Sequence, residues 1–155
     1  RIALSEGSGT AHFHVAEVDT ASSLFTPSQS LLASTPEARP ARVIEVPTAR
    51  LDDVVAEIGL PIKGCFLKMD VQGGETLVMG GAPNVLSAAT GLMAELSLEP
   101  LYSGQSSAQT LLEAVYGAGF EVWDIWPGYR NRQTHRLLQA DIICFKPSVH
   151  SAVHD

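Results

Sequence analysis

The sequence lacks an excess of basic residues: its 155 residues include 10 Lys and Arg against 17 Asp and Glu, a formal net charge of −7. Because Lys and Arg form no cluster, nucleic acid is not expected as the main partner. No apolar run approaches the roughly 20 residues of a membrane-spanning helix, so no membrane span is predicted. The only two cysteines, Cys65 and Cys144, lie inside apolar runs. This pattern favours reduced thiols in a cytoplasmic protein over a disulfide framework.

The sequence does contain enough apolar residues to form a core. With 45% hydrophobic and 17% charged residues, it is typical of one globular domain. We assign residues 1–146 to a domain and 147–155 to a C-terminal tail. The stretch Arg1-Ile2-Ala3-Leu4 is typical of the end of a strand, and no Met precedes it. We therefore expect the first strands of the domain to lie upstream of Arg1.

Hydrophobic patterns predict strands that alternate with helices. The predicted strands cover residues 3–4, 11–18, 42–47, 64–70, 91–98, 120–126 and 138–146. The predicted helices are one that Thr48 caps and Gly59 ends, one from Glu75, one from Pro83, and one that Ser106 or Ser107 caps and whose apolar face includes Tyr116. This order predicts an α/β fold with a mainly parallel sheet and an antiparallel C-terminal hairpin.

Three finer features follow from the same patterns. The strands at 3–4 and 11–18 are expected to pair as a hairpin across a glycine-containing turn. Residues 20–40, rich in Ser, Thr, Pro and Ala, predict a long surface loop. The nearly continuous apolar character of 64–70 predicts a strand that is buried on both faces.

The segment from Lys68 to Glu75 is the best candidate for chemistry. Lys68 and Asp70 share one face of the strand, where two charges are costly unless they are paired or used. In open α/β sheets the ligand crevice lies beyond the carboxyl ends of the strands, where Asp70 is placed. Two interpretations stay open. Either Lys68 and Asp70 form a structural pair and Glu75 favours the helix start, or these residues form a ligand site.

The run Lys68-Met69-Asp70-Val71-Gln72-Gly73-Gly74-Glu75 resembles the Lys-x-Asp-Val-Gln-Gly-x-Glu signature of the FkbM family of S-adenosylmethionine-dependent methyltransferases. Further stretches resemble motifs of that family in the same order: Ala3-Leu4-Ser5 with Gly9, Ser22-Ser23-Leu24, Arg50-Leu51-Asp52-Asp53, Ala94-Glu95-Leu96-Ser97, Leu101-Tyr102 with Gln105, and Gly119-Phe120. The resemblance covers roughly residues 1–146 and implies a Rossmann-like class I methyltransferase sheet. Gly74, in place of a bulkier residue, and Arg50, in place of Thr, depart from the family pattern.

The resemblance also implies roles for particular residues. Asp70 would hold the acceptor hydroxyl or take its proton, and Gln72 would orient the acceptor through its amide. Glu75 would orient the acceptor too, or simply cap the helix. The residues implied to contact S-adenosylmethionine are Ala3, Leu4, Ser5 and Asp70. The residues implied to form the acceptor site are Glu95, Tyr102 and Gln105, with a structural role for Glu95 as the alternative.

The implied activity is methyl transfer to a hydroxyl of a sugar, glycolipid or polyketide-type acceptor. A divalent cation held by Asp70 and Glu95 is the lesser alternative to a metal-free site. The sequence has no Gly-rich loop for the methionine end of the cofactor, so a non-catalytic methyltransferase-like binding module is the rival interpretation. If the first strands are absent, an unpaired edge beside residues 64–70 predicts self-association as a homo-oligomer.

Overall fold

The computed structural model of the protein describes residues 2–147; Arg1 and residues 148–155 of the predicted tail lie outside the described part. The strands are β1 (Ala3–Leu4), β2 (Gly9–Ala16), β3 (Thr26–Pro27), β4 (Pro40–Ala49), β5 (Phe66–Met69), β6 (Gly91–Ser97), β7 (Tyr102–Ser103), β8 (Glu121–Pro127) and β9 (Gln139–Phe145). The helices are α1 (Gln29–Ser34), α2 (Leu51–Ile58), α3 (Glu75–Gly80), α4 (Pro83–Ala88) and α5 (Ala108–Gly117). Within residues 2–147, no helix has the length and apolar character to cross a membrane.

The larger sheet has four strands in the order β5-β6-β9-β8. Only β5 and β6 are parallel; β9 runs antiparallel to both of its neighbours, β6 and β8. The predicted C-terminal hairpin is confirmed, but the prediction of a mainly parallel sheet is wrong, because the sheet is mixed. The reason is the placement of β9, whose residues Ile142 and Cys144 are fully buried and therefore favour an interior position.

A second sheet has three strands in the order β1-β4-β2. The predicted hairpin between residues 3–4 and 11–18 is wrong, because β1 and β2 both pair with β4. β1 is parallel to β4 and β2 is antiparallel to it, with Thr48 paired to Ala3 on one side and to Gly9 on the other. The connection between β1 and β2 therefore passes the end of β4 instead of forming a tight turn.

The stretch at 20–40 is not simply a loop, because it contains β3, α1 and two 3-10 turns. Ser28 caps α1 by accepting a hydrogen bond from the backbone N–H of Leu31 at 3.2 Å. Leu31 then packs into a small hydrophobic cluster with Leu101, Tyr102 and Leu138. Local capping and this cluster together stabilise a short helix in a sequence of loop-like composition.

The main core lies on one face of the four-stranded sheet. Met69, Leu92 and Ile142 point from this face towards helices α3, α4 and α5. The opposite face is open, since Phe66 is 47% exposed and Lys68 is also exposed. The prediction that 64–70 is buried on both faces is therefore wrong. Among the residues that the structure describes, β5 is one of the two edge strands of this sheet, and the self-association expected from this edge stays a prediction.

Two helix starts illustrate how local signals worked. Ser107 caps α5 as predicted, accepting from the N–H of Thr110 at 3.1 Å, although Tyr116 is 55% exposed instead of lying on the buried face. The N-cap of α2 is Arg50 and not Thr48, because β4 continues through Ala49. No side-chain hydrogen bond caps this helix among the described contacts. The buried Asp52 in its first turn instead accepts hydrogen bonds from two backbone N–H groups at the start of α4.

Candidate active site

A cleft of about 650 Å³ separates the three-stranded sheet from the turn between β5 and α3. Its volume lies in the usual range of ligand pockets, which is roughly 300–1,000 Å³. Most of its lining is apolar: Ile2, Ala3, Leu4, Phe13, Val15, Leu24, Ile44, Val46, Val71 and Gly74. The polar lining residues are Asp19, Ser22, Arg42 and Asp70. The cleft therefore combines apolar walls with a few polar groups, as small-molecule sites do.

The inner wall of the cleft is formed by alternate residues of β2 and β4. In the register of this pair, Phe13 lies opposite Ile44 and Val15 lies opposite Arg42. Directly opposed residues in an antiparallel pair point to the same face, so all four side chains face the cleft. None of these four residues belongs to a site predicted from the sequence. Their signal is the alternation of apolar and polar residues in β2 and, over residues 44–46 only, in β4.

Three of the residues predicted from the sequence do line this cleft: Ala3, Leu4 and Asp70. Ser5 does not belong to the described lining. Its backbone N–H donates to the carbonyl of Ala49 at 2.9 Å, and its own carbonyl oxygen lies against Gly81. Ser5 therefore joins β1 to β4 and to the junction of α3 and α4.

Asp70 follows β5 directly and has a partner on each carboxylate oxygen. Lys68 Nζ lies 2.9 Å from Oδ2, and Gln72 Nε2 donates to Oδ1 at 3.0 Å. The hydrogen bond from Lys68, and then that from Gln72, hold the pKa of Asp70 below its ordinary value. Asp70 is therefore ionised at neutral pH. The Lys68–Asp70 pair expected from the sequence exists, and it lies beside the cleft.

Gln72 is held by contacts on both its backbone and its side chain. Its φ of 52° is in the left-handed region, which is uncommon for a residue other than glycine. Its carbonyl accepts from Ser23 Oγ at 2.7 Å. Its side-chain nitrogen donates to Asp70 and also to Glu95 Oε2 at 2.9 Å, while its Oε1 accepts from the Tyr102 hydroxyl at 3.0 Å. The amide of Gln72 thus joins three polar side chains.

Glu95 lies in the middle of β6, on the same side of the sheet as Asp70. Burial, and then the negative charge of Asp70, raise the pKa of Glu95 to about 8. At pH 7 this carboxyl is therefore mostly protonated, which limits the repulsion between two carboxyl groups that share one amide. Among residues 2–147, no group of three or more His, Cys, Asp and Glu side chains is arranged to hold a metal ion.

Glu75, the first residue of α3, is only 3% exposed. Its Oε1 accepts a hydrogen bond from the backbone N–H of Gly73 at 3.3 Å. Burial raises the pKa of this carboxyl, and hydrogen bonds from nearby backbone groups oppose that rise. Glu75 is not part of the described cleft lining, and its carboxyl group contacts the backbone of the turn before α3; both roles expected from the sequence stay predictions.

Tyr102 and Gln105 organise the loop after β6. Tyr102 is 2% exposed, and its hydroxyl lies within hydrogen-bond distance of the Ala21 carbonyl as well as of Gln72. Gln105 accepts from the backbone N–H of Leu101 and of Tyr102 at 2.9 and 3.2 Å, and its side-chain nitrogen donates to Ser97. Neither residue belongs to the described lining of the cleft.

Comparison with known protein families indicates the class of this molecule. The family model described as the Methyltransferase FkbM domain matches residues 1–122 of the chain. The chain belongs to the FkbM methyltransferase family. In comparisons with curated proteins and with solved structures, nothing matches.

The FkbM match includes every residue that lines the cleft and every site residue inferred from the sequence. It ends within β8, so β9 lies beyond it. The part of the chain that matches FkbM methyltransferases is therefore the part that forms the cleft and the polar cluster beside it.

Proposed function

We propose that this FkbM-family chain is an S-adenosylmethionine-dependent methyltransferase that methylates a hydroxyl oxygen. The observation that carries the proposal is the Asp70 carboxylate, ionised and held on both oxygens, in the wall of an otherwise largely apolar cleft. In α/β sheets, a ligand site at the carboxyl end of a strand is the usual arrangement. The proposed acceptors are hydroxyls of sugars, glycolipids or polyketide-type molecules.

The cleft is compatible with the proposed cofactor. Its volume of about 650 Å³ suits a ligand of nucleoside size, and Ala3 and Leu4 supply backbone and apolar surface for an adenine ring. The carboxylate of Asp70 complements a cationic group. When bound, S-adenosylmethionine supplies an electrophilic methyl group. The two free thiols support a reducing, cytoplasmic setting.

The role proposed for Asp70 is to hold the acceptor hydroxyl. Each carboxylate oxygen has two acceptor positions, so the bonds from Lys68 and Gln72 leave one position on each oxygen for a further donor. A hydroxyl that donates to Asp70 turns its lone pair away from the carboxylate, and this positioning is the main requirement of a displacement reaction. As the oxygen takes the methyl group, its proton becomes strongly acidic. A carboxylate with a lowered pKa is therefore a sufficient base.

The first test is a calorimetric titration of the folded chain with S-adenosylhomocysteine. We expect micromolar binding, whereas a folded chain that does not bind would favour the non-catalytic module. The second test compares Asp70→Asn with Asp53→Asn, an exposed residue on α2, in a methylation assay over a panel of hydroxyl acceptors. We expect a loss of kcat on the order of 100-fold for Asp70→Asn alone. Equal kcat values would refute the role of Asp70.

A further inference from the structure

We propose that Gln72 is a positioning residue: its side-chain amide fixes the Asp70 carboxylate at the cleft, and Glu95 and Tyr102 fix the amide. This inference rests on the proposed function only where it gives the Asp70 carboxylate a use. The hydrogen bonds themselves do not depend on the reaction. It also differs from a direct contact between Gln72 and the acceptor.

Every hydrogen-bonding position of the Gln72 amide that points into this cluster has a partner. The two N–H bonds go to Asp70 Oδ1 at 3.0 Å and to Glu95 Oε2 at 2.9 Å. The carbonyl oxygen accepts from the Tyr102 hydroxyl at 3.0 Å. No amide hydrogen remains for an acceptor molecule. The amide therefore acts within the protein and not on the ligand.

Asp70 sets the orientation of the amide, because its ionised carboxylate can only accept hydrogen bonds. A rotation by 180° would place the amide oxygen against the ionised Asp70 carboxylate, which has no hydrogen to donate, and would remove the N–H bond to Oδ1. Only glutamine supplies two donors and one acceptor at this reach. A glutamate at position 72 would add a third carboxyl group. A methionine would have no N–H groups to donate to Asp70 and Glu95.

The backbone conformation of Gln72 also indicates that its surroundings hold this residue in place. A residue with φ near +52° is uncommon outside glycine, and such a conformation persists only where the surroundings hold it. Here Ser23 Oγ donates to the Gln72 carbonyl at 2.7 Å, and the side chain is anchored from three directions. This backbone conformation in the turn between β5 and α3 directs the Gln72 side chain back towards Asp70.

The side chain of Asp70 would otherwise be free to rotate, because it is about half exposed. Lys68 alone does not prevent this, since its long side chain is itself exposed and ion pairs of that kind are weak. The bond from Gln72 is different because the amide is anchored in the half-buried cluster. Gln72 therefore restricts the rotation of the Asp70 carboxylate at the cleft.

Several titratable groups surround the amide, so any titration must account for all of them. They are Lys68 and Asp70 at β5, Glu75 on α3, Glu95 on β6, Tyr102 on β7 and Asp141 on β9. Among these groups, Glu95 has a pKa raised to about 8 by burial, and Asp70 has a pKa lowered by its hydrogen bond from Lys68. The two ionisations are well separated in pH, and the Gln72 amide donates one hydrogen bond to each of the two carboxyl groups.

The decisive experiment follows the carboxyl carbon of Asp70 by NMR over an acid titration, in the wild-type chain, in Gln72→Met and in Gln109→Met. Gln109 donates to Glu113 at 2.9 Å on the exposed face of α5, so this control removes the same type of hydrogen bond elsewhere. We expect the Asp70 midpoint to rise in Gln72→Met and to stay unchanged in Gln109→Met. An unchanged midpoint in Gln72→Met would overturn the proposal.

A measurement on the wild-type chain keeps the proposal testable should Gln72→Met fail to fold. The two side-chain amide proton signals of Gln72 should move with a midpoint of about 8 as Glu95 ionises. Signals that do not respond to pH would overturn the proposal. The calorimetric titration with S-adenosylhomocysteine is run on the same samples. Failure of that binding with a shifted Asp70 midpoint would refute the methyltransferase proposal alone and leave the role of Gln72 standing.

Discussion

Glu95 gives the most informative prediction, because its ionisation couples the stability of this FkbM-family chain to pH. The perturbation is Glu95→Gln. A glutamine at position 95 has the shape of the protonated carboxyl, and its oxygen can still accept from Gln72 Nε2 as Glu95 Oε2 does at 2.9 Å. The variant therefore represents a permanently protonated Glu95 with the cluster kept intact.

The sign follows from the two states of the chain. In the folded protein the pKa of Glu95 is about 8, against an ordinary value of 4.5 in the unfolded chain. Between these values the folded state binds a proton that the unfolded state does not, so stability is fully present below 4.5 and falls as pH rises towards 8. The full pKa difference corresponds to roughly 5 kcal/mol, and solvent screening of this half-buried side chain reduces it to roughly 1–3 kcal/mol.

Urea unfolding at pH 5, 7 and 9 measures this difference. With a slope of about 2 kcal/mol per molar urea for a domain of this size, the wild-type midpoint should fall by roughly 0.5–1.5 M relative to that of Glu95→Gln between pH 5 and pH 9. At pH 5 the two proteins should have nearly equal midpoints. Glu113→Gln, an exposed site on α5, should follow the wild type at every pH. Parallel pH profiles for wild type and Glu95→Gln would refute the reasoning.

Two further substitutions test how the framework holds the cleft. Asp52→Ala removes a carboxylate that accepts from two backbone N–H groups at the start of α4, each at 3.0 Å. We expect a loss of about 2 kcal/mol, measured as a lower Tm, with a smaller loss in Asp52→Asn. Gly81→Ala would place a methyl group 2.1 Å from the carbonyl oxygen of Ser5. Because that contact displaces β1, we expect both a lower Tm and weaker S-adenosylhomocysteine binding.

Each of these substitutions has a clear contrary outcome. For Asp52→Ala, a Tm equal to that of the wild type would mean that the two N–H groups do not depend on this carboxylate. For Gly81→Ala, the matched control is Gly117→Ala at the end of α5, where an added methyl group meets nothing within 4 Å. Equal Tm values for these two glycine variants would contradict the close approach of β1 to the junction of α3 and α4.

Local signals in the sequence predicted several elements correctly. Ser107 was one of the two caps predicted for α5, Glu75 and Pro83 were predicted as the starts of α3 and α4, and the last two strands as an antiparallel hairpin. These features depend on residues a few positions apart, so capping and periodicity are enough to locate them. The motif from Lys68 to Glu75 likewise identified the FkbM family and the segment that lies beside the cleft.

Such local signals do not predict contacts between distant parts of the chain. Nothing local indicates that β9 lies between β6 and β8, or that β1 pairs with β4 instead of β2. The partner of a strand depends on which arrangement buries the most apolar surface, and that is a property of the whole chain. For the same reason the wall formed by Phe13 and Ile44 was missed, although the alternation in β2 places Phe13 and Val15 on one face.

The sequence by itself determined the family, the order of most elements and the presence of an acidic residue at the end of β5. The tertiary structure alone decided what the polar residues do. Gln72 is 23 residues from Glu95 and 30 residues from Tyr102 in the chain, yet its amide lies 2.9 and 3.0 Å from their side-chain oxygens. Hydrogen bonds and pKa values depend on distance and burial in space, because the electric field and the loss of solvent act through space and not along the chain.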